Sequence, residues 1–132
     1  NYRMMRYAEV LLLAAEACLQ SGDPTSALNY INQIRTRAKL PALTAVSLSD
    51  IKKEKRLELC VEMVRYQDLI RWGDAATALA NRGKQVPVFN GTTVTYPYSN
   101  DTYGFKTGKN ELLPFPEHEM GVNQNLVQNP GW

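Results

Sequence analysis

The sequence has few of the residues on which catalysis and metal binding usually depend. Its 132 residues include two cysteines and one histidine, His118, which lies between Glu117 and Glu119. A single histidine makes no metal site by itself, and adjacent residues do not share one face of a helix. No serine or cysteine has a base at a recognisable spacing, and no glycine-rich phosphate loop is present. We therefore predict no catalytic centre, no metal and no cofactor.

Strong charge of one sign and long apolar runs are absent as well. The formal net charge is +2, from 15 lysines and arginines and 13 acidic residues. Because no basic stripe forms, we expect no nucleic-acid partner. The apolar run Val10–Ala15 is far shorter than the roughly 20 residues that a membrane-spanning helix needs. The length suits a single domain with a substantial core.

The two cysteines, Cys18 and Cys60, lie in the middle of two different predicted helices. Both follow apolar positions, and neither has a second cysteine or a histidine at metal-ligand spacing. This pattern predicts small buried thiols rather than a disulfide.

Two amphipathic helices are predicted at the start of the chain. Their apolar positions are separated by four and three residues and are Tyr7, Leu11, Ala14 and Cys18 in the first helix and Ala27, Ile31, Ile34 and Ala38 in the second. Gly22 favours a left-handed stop, Asp23 an N-cap and Pro24 the first helical position. Pro41 is expected to end the second helix. Because the connection is short, the two helices must be antiparallel neighbours.

Small residues in this helix pair indicate its packing. Ala15 and Ala27 lie where tetratricopeptide hairpins place small side chains, and Ile31 lies where they place a large one. The predicted fold class is therefore all-α, with tetratricopeptide-like helical hairpins followed by an irregular, aromatic-rich loop and a proline-rich C-terminal tail.

A third helix is predicted over about 48–72, and it opens with the capping-box motif Ser47–Asp50. Asp74 is expected to cap a fourth, short helix that continues through Arg82 and ends at Gly83.

The third helix carries an unusual mixture of apolar and charged residues. Its apolar stripe consists of Leu57, Val61 and Val64, and the next position on that stripe is Asp68. An unpaired buried charge is too costly to keep, so Arg65 or Arg71 is expected as the partner of Asp68. We predict a structural ion-pair network of Glu62, Arg65, Asp68 and Arg71. A functional site is the second interpretation of these residues.

Residues 84–110 change in character, because glycines and prolines break any helix there. Val86, Val88 and Val94 favour short strands, with Asn90-Gly91 as the hairpin turn. The segment also contains five rings, of Phe89, Tyr96, Tyr98, Tyr103 and Phe105. Either these rings hold a long loop in place, or they present apolar faces to sugars. On the second interpretation, the candidate ligand-binding residues are Tyr96, Tyr98, Tyr103 and Phe105.

The last 21 residues are expected to have little regular structure. Leu112–Pro116 is stiff and extended because each proline restricts its own backbone and that of the residue before it. A short turn is predicted to begin at 117–119, and a coil follows from Asn123 to Trp132, whose ring is expected to pack on a helix.

Four segments of the chain carry a resemblance to a known family. They are Arg6–Ala17 (RYAEVLLLAAEA), Ala27–Ala38 (ALNYINQIRTRA), Arg65–Gly73 (RYQDLIRWG), and Leu113–Pro116 (LPFP) together with Gln128–Trp132 (QNPGW). In this order they resemble the SusD/RagB-type nutrient-binding outer-membrane lipoproteins. The resemblance extends over most of the chain except about 84–110.

The resemblance implies that residues 1–132 are the C-terminal helical domain of a protein several times longer. Within it, 1–83 would be a helical core on which the loop and tail 84–132 pack. The family's proteins lie at the surface of Bacteroidetes-type bacteria, held in the outer membrane by a lipid anchor, which would lie outside this chain. They bind an oligosaccharide or another nutrient and pass it to a TonB-dependent, SusC-type transporter without breaking a bond. The matched residues Glu62, Arg65, Asp68, Arg71 and Trp72 would hold the scaffold.

Two other hypotheses remain. A tetratricopeptide-type adaptor that binds a peptide in a helical groove would need further repeats at a spacing of about 34 residues, and the chain instead turns to loop after Gly83. A glycoside-acting enzyme would need a carboxylate pair in a cleft, whereas Glu58 and Glu62 are more simply a salt-bridged helix surface. We therefore favour a non-catalytic glycan-binding protein.

Overall fold

The computed structural model describes residues 4–82, 84, 86–97 and 104–132, and it confirms the all-α prediction. The helices are α1 Tyr7–Gln20, α2 Pro24–Arg37, α3 Leu48–Glu58, α4 Arg65–Arg71, α5 Ala75–Ala78 and α6 Glu117–Val122, and the strands are β1 Val88–Phe89 and β2 Val94–Thr95. The chain divides into two compact units, Asn1–Arg65 and Tyr66–Trp132. The division into 1–83 and 84–132 stays a prediction.

The first unit is built on the helix pair α1 and α2. Gly22 has a φ of +87°, and the N–H groups of Gly22 and Asp23 donate to carbonyls in the last turn of α1 at 3.2 and 2.8 Å. This pair of bonds is a Schellman C-cap. The Asp23 carboxylate then accepts from the Ser26 N–H at 3.0 Å, and Pro24 opens α2. The predicted connection is confirmed.

The core of this unit lies among α1, α2 and α3 and contains the fully buried side chains of Leu12, Ala15, Ile31, Ile34 and Ile51. Ala15, Ala27 and Ile31 are each 0% exposed, as expected for the close approach of a tetratricopeptide-like pair. Burying each large aliphatic side chain contributes about 1.5–3 kcal/mol. The packing positions read from the sequence are therefore confirmed.

The predicted face of α1 is wrong by one position. Tyr7 is 72% exposed, and the buried face runs through Ala8, Leu11, Leu12 and Ala15. Because Val10–Ala15 is apolar on every side of the helix, the spacing of apolar residues did not decide which side faces the core.

The end of α2 also differs from the prediction. The helix ends at Arg37, before Pro41, and Lys39 adopts a φ of 57°. The N–H groups of Lys39 and Leu40 donate to carbonyls of the last turn at 3.0 and 2.8 Å. A Schellman motif with lysine at the left-handed position thus ends the helix before the proline is reached.

The single third helix predicted over 48–72 is wrong. The Ser47–Asp50 capping box is present, but α3 ends at Glu58 and α4 begins at Arg65. Between them, Val61 and Met63 have φ values of 63° and 65°. Residues of L chirality rarely adopt this region, and a β-branched residue is an outlier there.

The break also overturns the predicted apolar stripe. Leu57 and Val61 are 63% and 96% exposed, and Val64 is only partly buried against the core. Cys60, expected inside a helix and buried, lies just after α3 and is exposed, while Cys18 is partly exposed. Both cysteines are free thiols.

In the second unit, α4 ends with a further Schellman cap, at Gly73, whose φ is +73°. The following helix, α5, is shorter than predicted, because it stops at Ala78 rather than continuing through Arg82. Asp74 is its N-cap residue, but its side chain makes no capping bond. The predicted end at Gly83 lies outside the described residues.

The predicted hairpin is confirmed at Val88 and Val94. β1 and β2 pair antiparallel, with Val88 opposite Thr95 and Phe89 opposite Val94. In the turn, Gly91 has a φ of +95°, and the Asn90 side chain accepts from the N–H groups of Thr92 and Thr93 at 3.0 and 2.9 Å. Val86 lies before β1, outside the paired residues.

The tail is held by side-chain amides. The Gln128 amide accepts from the Phe115 N–H at 2.8 Å and donates to its carbonyl at 3.1 Å, as a neighbouring strand would. Asn129 donates to the Leu113 carbonyl at 2.6 Å. The LPFP and QNPGW segments, 13 residues apart at this contact, are thus bonded to each other.

Two details of the tail were predicted incorrectly. The turn expected to begin at 117–119 is the short helix α6. The Trp132 ring packs on a loop rather than a helix, since its Nε1–H points to the carbonyls of Lys109 and Leu112 at 3.1 Å each. The Lys109 ammonium lies 4.1 Å from the ring centroid, a cation–π distance.

Candidate functional site

A charged cluster in the first unit is centred on Glu58. Arg6 donates to the Glu58 carboxylate at 2.9 Å and to the Glu58 backbone carbonyl at 2.8 Å. Arg37 binds the same carboxylate at 2.6 Å, and Arg6 also binds Glu62 at 2.7 Å. Only 9% of the Glu58 side chain is exposed. The cluster therefore connects the N-cap of α1, the last residue of α2 and the end of α3 around one largely buried carboxylate.

The cluster also satisfies a carbonyl at the C-terminal end of α3. In a continuing helix the Glu58 carbonyl would accept from the N–H of residue 62. Here that carbonyl accepts from Arg6, and the Glu62 N–H donates to the Leu59 carbonyl at 3.1 Å instead. The last carbonyls of a helix lack helical partners, and a distant arginine supplies one of those partners here.

The four residues of the predicted ion-pair network occupy different surroundings. Asp68, 5% exposed, lies in α4 and pairs with Arg71 at 3.2 Å. Glu62 lies before α4 and pairs with Arg6, and Arg65 is the first residue of α4. Glu62 is thus not on the Asp68–Arg71 helix. The Arg71 guanidinium also lies 5.1 Å from the Trp72 ring centroid, so this pair has a packing contact as well.

Electrostatics at Glu58 and Glu62 suit a structural role. The hydrogen bond from Arg6 lowers the pKa of Glu62, while the two glutamates raise the pKa of Arg6. A glycosidase general acid requires the opposite, a carboxyl group whose pKa is raised. Each of the two carboxylates is bonded to arginine, so the pair stabilises the fold.

An exposed aromatic face lies on the β1–β2 hairpin. Phe89 and Val94 are directly opposite each other, so their side chains share one face. Tyr96 follows β2 directly, two residues after Val94. Phe89, Val94 and Tyr96 are 67%, 55% and 53% exposed. We call these three exposed side chains the hairpin ring face, and one of them, Tyr96, is a predicted ligand-binding residue.

Phe105, another predicted ligand-binding residue, has a different environment. Its ring is partly buried and lies 6.5 Å from the Tyr66 ring, centroid to centroid, at an interplanar angle of 59°. Its N–H donates to the Leu79 carbonyl at 3.3 Å, and the Tyr66 hydroxyl donates to the Asn110 carbonyl. The remaining candidates, Tyr98 and Tyr103, lie outside the described residues.

A cavity of about 190 Å³ opens beside this ring pair, lined by Tyr66, Leu79, Arg82, Gly104, Phe105 and Asn110. We call it the ring-pair cavity. Sequence reasoning missed Tyr66, Arg82 and Asn110, since their spacing has no period. The RYQDLIRWG motif contains Tyr66, but only as part of a scaffold.

A larger cavity, of about 380 Å³, lies on the α1–α2 pair and is lined partly by Arg6, Tyr7, Gln33 and Arg37. In the described part of the chain, no group of three or more histidine, cysteine, aspartate or glutamate residues is arranged to hold a metal ion. Nor is any described helix long and apolar enough to cross a membrane.

The fold and these surfaces define an all-α protein with a tetratricopeptide-like helix pair and an aromatic hairpin loop. The whole chain, residues 1–132, matches the model of the SusD family. It belongs to that family, and the resemblance seen in the sequence is confirmed.

Individual relatives agree with this assignment. SusD-like protein P2 of Formosa agariphila is 34% identical in an alignment that covers 100% of this chain and 26% of the relative. A solved laminarin binding SusD-like protein is 38% identical, with a TM-score of 0.72, and the match covers 97% of this chain and 22% of that one. Surface glycan-binding protein A from Bacteroides uniformis is 34% identical with a TM-score of 0.72, over 98% and 27% of the two chains. The chain thus spans about a quarter of the length of these relatives.

Proposed function

We propose that this chain is the C-terminal part of a non-catalytic, cell-surface glycan-binding lipoprotein. One solved relative is named for binding laminarin and another for binding glycans, which supports a carbohydrate ligand. The observation on this chain that carries the proposal is the hairpin ring face, where Phe89 and Tyr96 are more than half exposed. Sugar rings have apolar faces that stack on such side chains.

The proposed mechanism is capture and transfer, with no covalent step. A glycan would bind at the exposed rings and then pass to a TonB-dependent, SusC-type transporter in the outer membrane. A lipid anchor outside these 132 residues would hold the protein at the cell surface. The arginine-bonded state of Glu58 and Glu62 supports the non-catalytic part of the proposal.

Glycan binding is tested on the hairpin ring face with laminarihexaose and isothermal titration calorimetry. We expect Tyr96→Ala to weaken binding about tenfold, because one stacking contact of roughly 1.4 kcal/mol is lost. Tyr7→Ala is the matched control, since Tyr7 is also an exposed tyrosine, 72% exposed, but belongs to the first unit. An equal loss of affinity in the two variants, or no binding of any oligosaccharide, would count against the proposal.

The surface location and the transporter are tested on the native protein. Mass spectrometry of the mature N-terminus from a membrane fraction should find a diacylated cysteine. The protein, purified in mild detergent from outer membranes, should carry a TonB-dependent transporter with it. An unmodified soluble N-terminus would remove the anchor from the proposal, and a protein purified without any transporter would remove the transfer step.

A further inference from the structure

The ring-pair cavity has a composition that favours one kind of sugar. Among the described residues that line it, the polar side chains are Arg82, Asn110 and Tyr66, and none of these carries a carboxylate. The Asn110 Oδ1 is already bonded to the Lys106 N–H at 2.7 Å. The same amide therefore offers its Nδ2 donors, and Arg82 adds five N–H donors and a full positive charge.

The guanidinium of Arg82 is the group that would distinguish an acidic sugar from a neutral one. Arg82 is exposed at the rim, and within the described part of the chain its side chain has no ion pair or hydrogen bond. A guanidinium binds carboxylates and sulfates through two parallel hydrogen bonds, and more strongly than it binds neutral hydroxyls. Beside it, Tyr66 and Phe105 offer apolar ring surface.

The size of the cavity limits its occupant. At about 190 Å³ it is smaller than the roughly 300–1,000 Å³ typical of sites for drug-sized ligands. It suits one sugar ring rather than a longer stretch of oligosaccharide. Room for one ring, hydrogen-bond donors on the described lining residues and the exposed cation of Arg82 together favour an acidic monosaccharide unit.

We propose that the ring-pair cavity is a subsite for one acidic saccharide unit, bound through a carboxylate or a sulfate to Arg82 with its ring against Phe105 and Tyr66. The inference rests on the proposed glycan-binding function and adds a preference for charge. The hairpin ring face would accept the neutral part of the glycan.

The test compares charged probes with their neutral forms. Tetragalacturonate is paired with its carboxyl-reduced form, and a κ-carrageenan tetrasaccharide is paired with its desulfated form. By calorimetry at low ionic strength we expect at least one charged probe to bind about fivefold more tightly than its neutral form, the scale of one solvent-exposed ion pair. The preference should shrink as salt is added. The pair that shows it tells whether a carboxylate or a sulfate is recognised.

Single-residue variants test whether the preference for the charged probe arises in this cavity. Arg82→Gln should abolish the preference for the charged form, and Arg82→Lys should keep part of it. Arg56→Gln, which removes an exposed arginine from α3 in the other unit, should keep all of it. Phe105→Leu should weaken binding of the charged probe even though Arg82 is still present. Arg82 is exposed, so its replacement leaves the packing unchanged, and thermal unfolding checks this.

The results that would overturn the acidic subsite differ from those that would overturn the proposed glycan-binding function. If neutral probes bind and charged ones bind no better, or if Arg82→Gln behaves like Arg56→Gln, the acidic subsite is wrong and glycan binding stands. If no saccharide of either kind binds, the glycan-binding function of this chain fails and the subsite fails with it.

Discussion

At the scale of single residues, Arg6 has the widest influence. Its guanidinium bonds to the Glu58 carboxylate, to the Glu58 carbonyl 52 residues later in the chain, and to Glu62. These charge-assisted bonds are stronger than neutral ones. They connect the start of α1 to the end of α3, so Arg6 has a structural role that its position in the RYAE motif did not reveal.

Asp68 is the residue on which the ion-pair prediction depended. Its side chain is 7% exposed and its partner Arg71 is 44% exposed. The structure thus agrees that the carboxylate is buried and that Arg71 is its partner, although the apolar stripe used to reach this conclusion is wrong. Asp68 is buried through the packing of α4 and not through a stripe that continues from α3.

We expect Asp68→Ala to lower the free energy of unfolding by about 2–3 kcal/mol, near the low end for a broken buried pair because water reaches Arg71. Chemical denaturation with urea provides the measurement. Asp68→Asn keeps the shape of the side chain and removes its charge, so this variant should lose less free energy of unfolding than Asp68→Ala. A loss below about 1 kcal/mol for the alanine variant would show that the buried pair contributes little.

At the scale of elements, three helices end in the same way. α1, α2 and α4 each end with a Schellman motif whose left-handed residue is Gly22, Lys39 or Gly73. The two glycines are readable from the sequence, and Gly22 was predicted. Lys39 was not, because lysine carries no preference for this conformation.

The segment between α3 and α4 stores backbone strain. Val61 and Met63 both have positive φ, and their side chains are 96% and 86% exposed. Such a conformation costs roughly 1–2 kcal/mol for a residue other than glycine, and exposed side chains return little packing energy. The bonds from Arg6 to Glu58 and Glu62 hold the segment in place.

Met63→Gly should therefore raise the free energy of unfolding by about 1 kcal/mol, because glycine adopts φ near 65° without a clash. The matched control is Leu57→Gly, another exposed apolar residue, which lies in the last turn of α3. There the change should cost about 1 kcal/mol. Urea denaturation of both variants tests the pair, and destabilisation by Met63→Gly would show that its side chain makes contacts that outweigh the strain.

At the scale of the whole molecule, the two compact units use different means of stabilisation. Asn1–Arg65 has a core of aliphatic side chains from three helices. Tyr66–Trp132 is held by ring contacts and side-chain amides, such as those of Asn110 and Gln128. Long connections over a small core must satisfy their backbone groups in this way.

Acid should destabilise the protein through particular carboxylates. The pKa values of Asp23, Asp50 and Glu62 are all lowered, by hydrogen bonds from Ser26, Ser47 and Arg6 respectively. A carboxyl group with a lowered folded-state pKa contributes stability above its unfolded pKa, and this is lost as the pH falls through the folded value.

We therefore expect the urea midpoint to be level between about pH 6 and pH 7 and to fall below about pH 4. Asp50→Asn should have a lower midpoint at neutral pH and a weaker dependence on pH in acid, since one of the three groups is removed. An equal midpoint at about pH 3 and pH 7 would contradict the assignment of these bonds.

The candidate site was only partly predictable. Tyr96 was identified from its position in a polar, aromatic-rich segment, and it is exposed. Phe105 came from the same reasoning but is packed on Tyr66, which belongs to a motif taken as scaffold. Whether an aromatic ring is exposed depends on which side chains from distant segments pack against it. A local sequence pattern contains no such information.

The sequence by itself determined the family, the α1–α2 pair, the capping residues Asp23 and Ser47 and the Asn90-Gly91 turn, because these depend on neighbours within a few residues. Only the tertiary structure decided the end of α3, the buried face of α1 and the residues around the ring-pair cavity. Each of these results from a contact between distant segments, such as Arg6 with Glu58. Beyond the C-cap of α3 the helical hydrogen bonds are not made, and the periodic pattern of the helix then no longer applies.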